Sequence, residues 1–294
     1  NAAMQVRKLV LDTTLGYLET LKGKAGETDD IKKEIAFIHT RLGSYFGSIR
    51  GSNLGEFDKA LEHYKLAQSM YNELAQKGDV KNNYNIALLH NNMFDIHWSN
   101  KEFIKCLSSL DEADSAVDLF ILAFPANNRG GRLKDSVAMS RIDTYLELED
   151  ASKVKELLQA SIDARRNRLR ADAKNQKFRR DLANILQRAG FTQTQLNDFD
   201  LAIENYTESR DILVGLVEEA PENGRAPRDL AWGEYFLGEA IVASGNVSAG
   251  LDRFEVGLVL LQNRCVANPE DADSRKDVLT MVEQYASRSK EKDS

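Results

Sequence analysis

The residues of this sequence whose types could do chemistry are four histidines, two cysteines and one dense run of arginines. His90 and His97 flank Asp95 in the run His-Asn-Asn-Met-Phe-Asp-Ile-His-Trp. Two turns of helix would set both imidazoles on one face, about 10 Å apart along the axis. That is too far to share a small ion without another ligand, so the segment reads as a polar helix face, and no metal or cofactor is expected. His39 and His63 stand alone in the sequence and read as surface or satisfied core residues. Cys106 and Cys265 are too few for a disulfide framework, and both fall at core-type positions, so they read as buried free thiols. The turn Gly47-Ser48-Ile49-Arg50-Gly51-Ser52-Asn53-Leu54-Gly55 is rich in backbone donors and could cradle an anion. It lacks Gly-Lys-Ser/Thr, which excludes a nucleotide P-loop. No Ser-His-Asp, Cys-His or paired-carboxylate site can be assigned, so the chain is expected not to be an enzyme.

Arg165, Arg166, Arg168 and Arg170, followed by Lys174, Lys177, Arg179 and Arg180, form the one basic block. The arginines at 165–170 are a candidate dock for an acidic partner, and equally a solvated helix end, where cations also suit the dipole. Around this block the 294-residue chain is acidic, with a formal net charge of −7. Nucleic-acid binders carry a basic surplus to displace counterions, so no nucleic-acid partner is expected. No apolar run approaches the roughly 20 residues needed to span a bilayer, and no membrane insertion by this chain is expected. Hydrophobic residues make up 42% and charged residues 29%, and there are only 4 prolines, a balance that points to a folded, mostly helical protein. Asn1-Ala2-Ala3 ahead of Met4 look like added residues, so the natural protein is expected to extend upstream.

The elements that would position these side chains repeat. Leu42-Gly43 is followed by Gly55-Glu56-Phe57-Asp58-Lys59-Ala60-Leu61, and Ala189-Gly190 by Asn197-Asp198-Phe199-Asp200-Leu201-Ala202. A third copy runs from Leu237-Gly238 to Gly245-Asn246-Val247. Weaker copies carry Phe103 and Val154. After Phe57 come Ala60, Tyr64 and Ala67; after Phe199 come Ala202, Tyr206 and Ser209; after Val247 come Gly250, Phe254 and Gly257. The spacing i, i+3, i+7, i+10 is one stripe of an α-helix. Ala60, Ala202 and Gly250 would let a partner helix approach, while Tyr64, Tyr206 and Phe254 fill the space one turn on. A helix pair of this kind cannot bury its stripe alone, and stacked neighbours complete the core.

These residues resemble the signature of the tetratricopeptide (TPR) repeat family. The resemblance implies an all-α, α-α superhelix: a TPR-like solenoid of about five helix pairs with N-terminal and C-terminal capping helices. The landmarks Phe57, Phe103, Val154, Phe199 and Val247 are 46, 51, 45 and 48 residues apart, longer than the family's roughly 34, so the extra length must lie in longer helices and loops. Residues 6 to 76, with Leu15-Gly16-Tyr17-Leu18-Glu19-Thr20-Leu21 ahead of the first repeat, resemble the start of the TPR region that follows many bacterial serine/threonine protein kinases. No Gly-rich phosphate loop, His-Arg-Asp or Asp-Phe-Gly is present. That resemblance implies the docking or sensory tail of a larger signalling protein, extracytoplasmic if a membrane span precedes it and otherwise cytoplasmic. The alternatives are a free-standing adaptor and a small-ligand sensor.

The expected order is an N-terminal helix within 1–27, repeats at 28–79, 80–126, 131–173, 174–221 and 224–268, and a capping helix and tail at 269–294. Pro125-Ala126-Asn127-Asn128-Arg129-Gly130-Gly131 reads as a loop. For the last helix, Asn268 or Asp271 can cap and Pro269 suits the first turn, and its outer face should be polar. In a TPR array, residues between the core positions of each first helix line a groove for a protein or peptide ligand. By that alignment the groove residues include Phe37, Thr40, Ser44, Asn91, Asp95, Trp98, Ile142, Asn184, Gln187, Phe191, Trp232 and Tyr235. The tryptophans either anchor ligand side chains or pack between adjacent repeats. A carboxylate clamp of the TPR kind wants Lys and Asn where Thr40 and Ser44 stand; only Asn92 fits, which argues against a chaperone-tail clamp.

Overall fold

The computed structural model describes residues 28–47, 54–220 and 225–292, together with Thr13, Thr14, Gly16, Tyr17 and Thr20. Most of the expected N-terminal helix and most of the 47–55 turn lie outside the described residues. Those described contain eleven helices and no strand: α1 (Asp29–Gly47), α2 (Phe57–Gln76), α3 (Asn82–Ser99), α4 (Phe103–Ala123), α5 (Asn128–Glu147), α6 (Ala151–Ala171), α7 (Gln176–Gln195), α8 (Phe199–Glu219), α9 (Arg225–Ala243), α10 (Val247–Ala267) and α11 (Ala272–Lys292). The chain divides into two compact units, residues 1–154 and 155–294.

Both units are built from helical hairpins. In the first, α1 packs on α2 and α3 on α4, while α1 also meets α3, and α3 meets α5. In the second, α7 packs on α8 and α9 on α10, and α7 meets α9. Within each unit the first helices α1, α3 and α7 therefore touch both their own partner and the first helix of the next hairpin, the arrangement of an all-α helical repeat of TPR type. The interlock is a ring against a glycine. A Cβ on Gly43 would lie 2.5 Å from the Tyr64 ring, one on Gly190 2.7 Å from Tyr206, and one on Gly238 2.7 Å from Phe254. All three rings are buried. The Leu-Gly and Ala-Gly pairs of the sequence are thus the sockets for the aromatic seven residues into the following helix.

The turns repeat as well. Lys101, Glu149, Asn197 and Gly245 each adopt positive φ just after a first helix. The next residue then donates its N–H to the carbonyl five back: Glu102 to His97, Asp150 to Tyr145, Asp198 to Gln193 and Asn246 to Ile241. This Schellman closure satisfies helix-end carbonyls and turns the chain sharply enough to start the second helix. Three of the four positions are not glycine and carry left-handed strain. Replacing the exposed Glu149 with Gly is expected to raise the stability of the first unit by about 0.5–1 kcal/mol, read from the denaturant midpoint; an unchanged or lower midpoint would show that the side chain stabilises the turn.

Helix starts explain two departures from the sequence reading. The stretch at 125–131 is a loop only to Asn127, whose side chain accepts the Arg129 N–H and starts α5. Gly130 lies inside that helix because a Cβ there would come 2.7 Å from Ile121 Cγ1. At the C-terminal end, Asp271 rather than Asn268 caps α11, accepting the Asp273 and Ser274 N–H groups at 3.1 and 3.3 Å, so Pro269 stays outside the helix. The outer face of α11 is not wholly polar, since Leu279 and Val282 are exposed.

Candidate functional site

In the first unit, most residues expected to face a ligand are used in packing. Asn91 and Asp95 are buried, at 4% and 6% exposure, and Asn91 Oδ1 has no hydrogen-bond partner among the described residues. Trp98 is half-buried between Phe94 and Phe103, with ring centroids 5.6 and 5.7 Å away. Ile142 is fully buried and presents no surface. The physical reason is the hairpin order: α3 has neighbours on both sides, α2 and α4, and also contacts α1 and α5. The exposed member of the set in this unit is Phe37, which lies under the Arg41 guanidinium at 5.1 Å. The hydroxyls of Thr40 and Ser44 bond their own helix carbonyls.

The histidines are not solitary. His39 and His63 sit Nδ1 to Nδ1 at 2.8 Å, with His63 stacked on Phe46, so one Nδ1 donates and the other accepts. His97 Nδ1 lies 2.7 Å from the Glu102 carboxylate. His90 Nε2 lies 2.9 Å from the Gln68 amide nitrogen, a donor, so the ring nitrogen accepts and the imidazole is neutral. Among the described residues no group of three or more His, Cys, Asp or Glu could hold a metal ion, and no helix is long and apolar enough to cross a membrane. Cys106 is buried, with its thiol pushed up to about 11 by burial first and Glu102 second. Cys265 is only half-buried, because it faces the rim between α10 and α11 beside Val278 and Leu279.

Burial holds the His90 pKa below the ordinary value of 6.5, opposed by the charge of Glu112. The unfolded chain therefore takes up this proton at higher pH than the folded one. The stability tied to a neutral His90 is complete above the unfolded value and declines as pH falls through it, levelling off below the folded value. Between pH 7 and pH 5 the melting temperature of the wild type is expected to drop, and His90→Gln, which keeps a partner for Gln68, should flatten that slope. Parallel slopes would place the pH dependence elsewhere.

The second unit keeps its first-helix face more open. Asn184 is exposed and Gln187 half-buried, its amide donating to the Asp229 carbonyl at 3.3 Å. Phe191 is 41% exposed, with Arg188 5.8 Å from its ring centroid. Trp232 is half-buried, edge-on to Tyr235 at 5.5 Å and tilted against Phe236 at 6.1 Å. Tyr235 itself is buried and stacks on Phe254 at 5.1 Å, so it belongs to the core. Successive first helices are stitched by ion pairs spanning 49 residues: Arg180 to Asp229, Arg228 to Asp277 and Arg288 to Glu239.

A cleft of about 480 Å³ opens at the N-terminal ends of α7 and α9, over the end of α8. Gln176, Lys177, Arg180, Asp181, Asn184, Leu216, Arg225 and Ala226 line it. Neither α7 nor α9 has an acidic residue in its first turn. The basic block of the sequence thus divides. Arg165 is buried and donates to the Ser161 carbonyl, and so is not part of an exposed patch. Arg166 pairs with Glu208 at 2.6 Å, and Arg170 bonds Asn167 at 2.9 Å, while Arg168 is half-buried. Arg179 is held by Glu219 and Arg180 by Asp229. Lys177 remains exposed, with no ion pair among the described residues. Arg225 escaped the sequence reading, yet a signal was present: Lys177 and Arg180 recur as Arg225 and Arg228 one 48-residue period later.

The structure defines an all-α helical-repeat fold of TPR type. No protein-family model matches the sequence, and no curated protein matches it. Among solved structures, the chain is similar to TTC0263, a thermophilic TPR protein of Thermus thermophilus, with 14% identity over 84% of this chain and 98% of that one, at a TM-score of 0.37. It is also similar to the yeast Sti1 TPR2AB domain in its complex with pHSP90, with 14% identity over 86% of this chain and 99% of that one, TM-score 0.23. Yeast Tom70 aligns at 13% identity over 96% of this chain and 60% of that one, TM-score 0.24.

Proposed function

We propose that this chain is a non-catalytic module that binds a protein or peptide along the first-helix face of its second unit. One observation carries the reading. Asn184, Phe191 and Trp232 keep exposed or half-exposed amide and aromatic groups on α7 and α9, beside a core that buries Leu182, Ala183, Leu186, Leu230 and Ala231 on the same helices. Amides can bond a peptide backbone, and partly exposed aromatic rings supply anchor area. The resemblance of residues 6–76 to kinase-attached TPR regions supports a place in a larger signalling protein; a native polypeptide near 33.0 kDa on a blot of source cells would instead mean a self-contained adaptor.

Selection from a random displayed-peptide library on the whole chain tests the binding reading. Selected peptides are expected to lose about tenfold or more in affinity on an Asn184→Ala/Phe191→Ala variant, as truncating anchor residues does, with the helical circular dichroism unchanged. A library that yields no binder, or binders indifferent to both changes, overturns it.

A further inference from the structure

We infer that the outward face of α11 is a self-association surface, paired antiparallel with the α11 of a second copy of this chain. The repeat itself identifies the face. α11 is a first helix: Arg228 of α9 bonds its Asp277 as Arg180 of α7 bonds Asp229 of α9, one 48-residue period earlier. In α7 and α9 one face receives the helix that follows. Ser209 of α8 donates to the Ala183 carbonyl at 2.9 Å, and the Tyr206 ring lies over Gly190. On α9, a Cβ at Gly257 of α10 would lie 2.7 Å from the Ala231 carbonyl oxygen, Arg253 reaches Glu234 at 3.4 Å, and the Phe254 ring lies over Gly238. All of these first-helix positions are buried. One period on, the same positions of α11 are Leu279, Val282 and Ala286. All three are exposed, Leu279 at 64% and Val282 at 41%, and among the described residues no second helix covers them.

Shape and charge fit a second copy. The chain's own second helices bring a ring to a glycine, but α11 has Ala286 there, and Leu279 where α7 and α9 have alanine. Such a face takes aliphatic layers rather than a ring. Hairpin helices run antiparallel, and a twofold axis across α11 produces the same antiparallel pairing. With the axis between residues 280 and 281, Leu279 meets Val282 of the second copy, and Arg275 meets Ala286 of the second copy. The Arg275 guanidinium donates to the Pro269 carbonyl, which leaves its aliphatic stem for that contact. Lys276 and Glu283 flank the stripe, both exposed and with no ion pair among the described residues. Two turns of helix, about 10 Å, separate them, so they cannot pair within one α11. Antiparallel pairing sets each Lys276 beside Glu283 of the other copy, the flanking-charge arrangement that fixes helix orientation. Val266, 80% exposed on α10, lines one shallow cleft with Arg275 and Leu279 and widens the apolar area.

Sedimentation equilibrium of the full chain tests this. One helix face is a small interface, so weak, micromolar association is expected. The apparent mass should rise from 33.0 kDa towards twice that value as concentration increases. Leu279→Glu should weaken association about tenfold or more, with the helical circular dichroism unchanged because the side chain is mostly exposed. Leu122→Glu, an equal change at a residue 80% exposed on α4, should leave association within about twofold. Lys276→Glu should weaken it severalfold, and adding Glu283→Lys should restore it. A chain that stays monomeric to submillimolar concentration, equal losses from both leucine changes, or a charge swap that restores nothing overturns the inference. So does a monomer whose Leu279→Glu variant loses a helical peptide selected on the wild type, which would give the face to a foreign helix.

Discussion

Tyr206→Ala is expected to destabilise the second unit by about 3–5 kcal/mol, the usual cost of emptying an aromatic site in a closed core. Tyr206 is 2% exposed, and burial holds its phenol well above the ordinary tyrosine pKa, opposed by its hydrogen bond to Thr194. Its ring fills the socket left by Gly190, where an added Cβ would meet Cε2 at 2.7 Å and Cδ2 and Cζ at 2.8 Å. Gly190→Ala alone should cost about 1–3 kcal/mol by overpacking. The three nearest atoms to that methyl all belong to the Tyr206 ring, so removing the ring removes the clash. The double variant should therefore cost at least about 1 kcal/mol less than the sum of the singles. Urea denaturation of all four proteins measures this coupling, and strict additivity would mean that ring and glycine do not form the interlock.

Gly238→Ala and Gly215→Ala should move stability in opposite directions, although both replace glycine inside a helix. Propensity alone predicts a gain of about 1 kcal/mol for each. At Gly215, in α8, nothing lies within 4 Å of the new methyl, so a gain of about 0.5–1 kcal/mol is expected. At Gly238, in α9, the methyl would lie 2.7 Å from Phe254 and 2.8 Å from the backbone oxygen of Gly250. A ring can slide, but that oxygen moves only if α9 and α10 separate, so a net loss of about 1–3 kcal/mol is expected. Thermal denaturation of the two variants against wild type decides the matter; a stabilised Gly238→Ala would mean the helices have slack that the close approach denies.

The class of the fold was legible because it is a local and periodic property. A stripe at i, i+3, i+7 and i+10 after Phe57, Phe199 and Val247 can only be one face of a helix. Small residues recurring before each turn can only admit a neighbour, and the sockets for Tyr64, Tyr206 and Phe254 follow from that. Helix ends were less legible. Whether Asn127 or the glycines after it end a loop, and whether Asn268 or Asp271 starts a helix, depends on which side chain reaches a free backbone N–H.

The site was legible only as a set of candidates. Periodicity marks which residues share a helix face, but not what stands opposite that face. For that reason Asn91, Asp95, Ile142 and Tyr235 sat in one list with Asn184 and Trp232, until packing buried the first four and left the others partly open. Charge count likewise could not separate Arg166, Arg179 and Arg180, whose carboxylates come from 40 to 49 residues away, from Lys177, which has none among the described residues. Sequence by itself determined helices, hairpin order and the aromatic sockets, since these rest on spacing within a helix and on the helix that follows it in the chain. Tertiary structure alone decided which polar and cationic groups remain unspent, because a side chain's partner is set by what the fold brings against it.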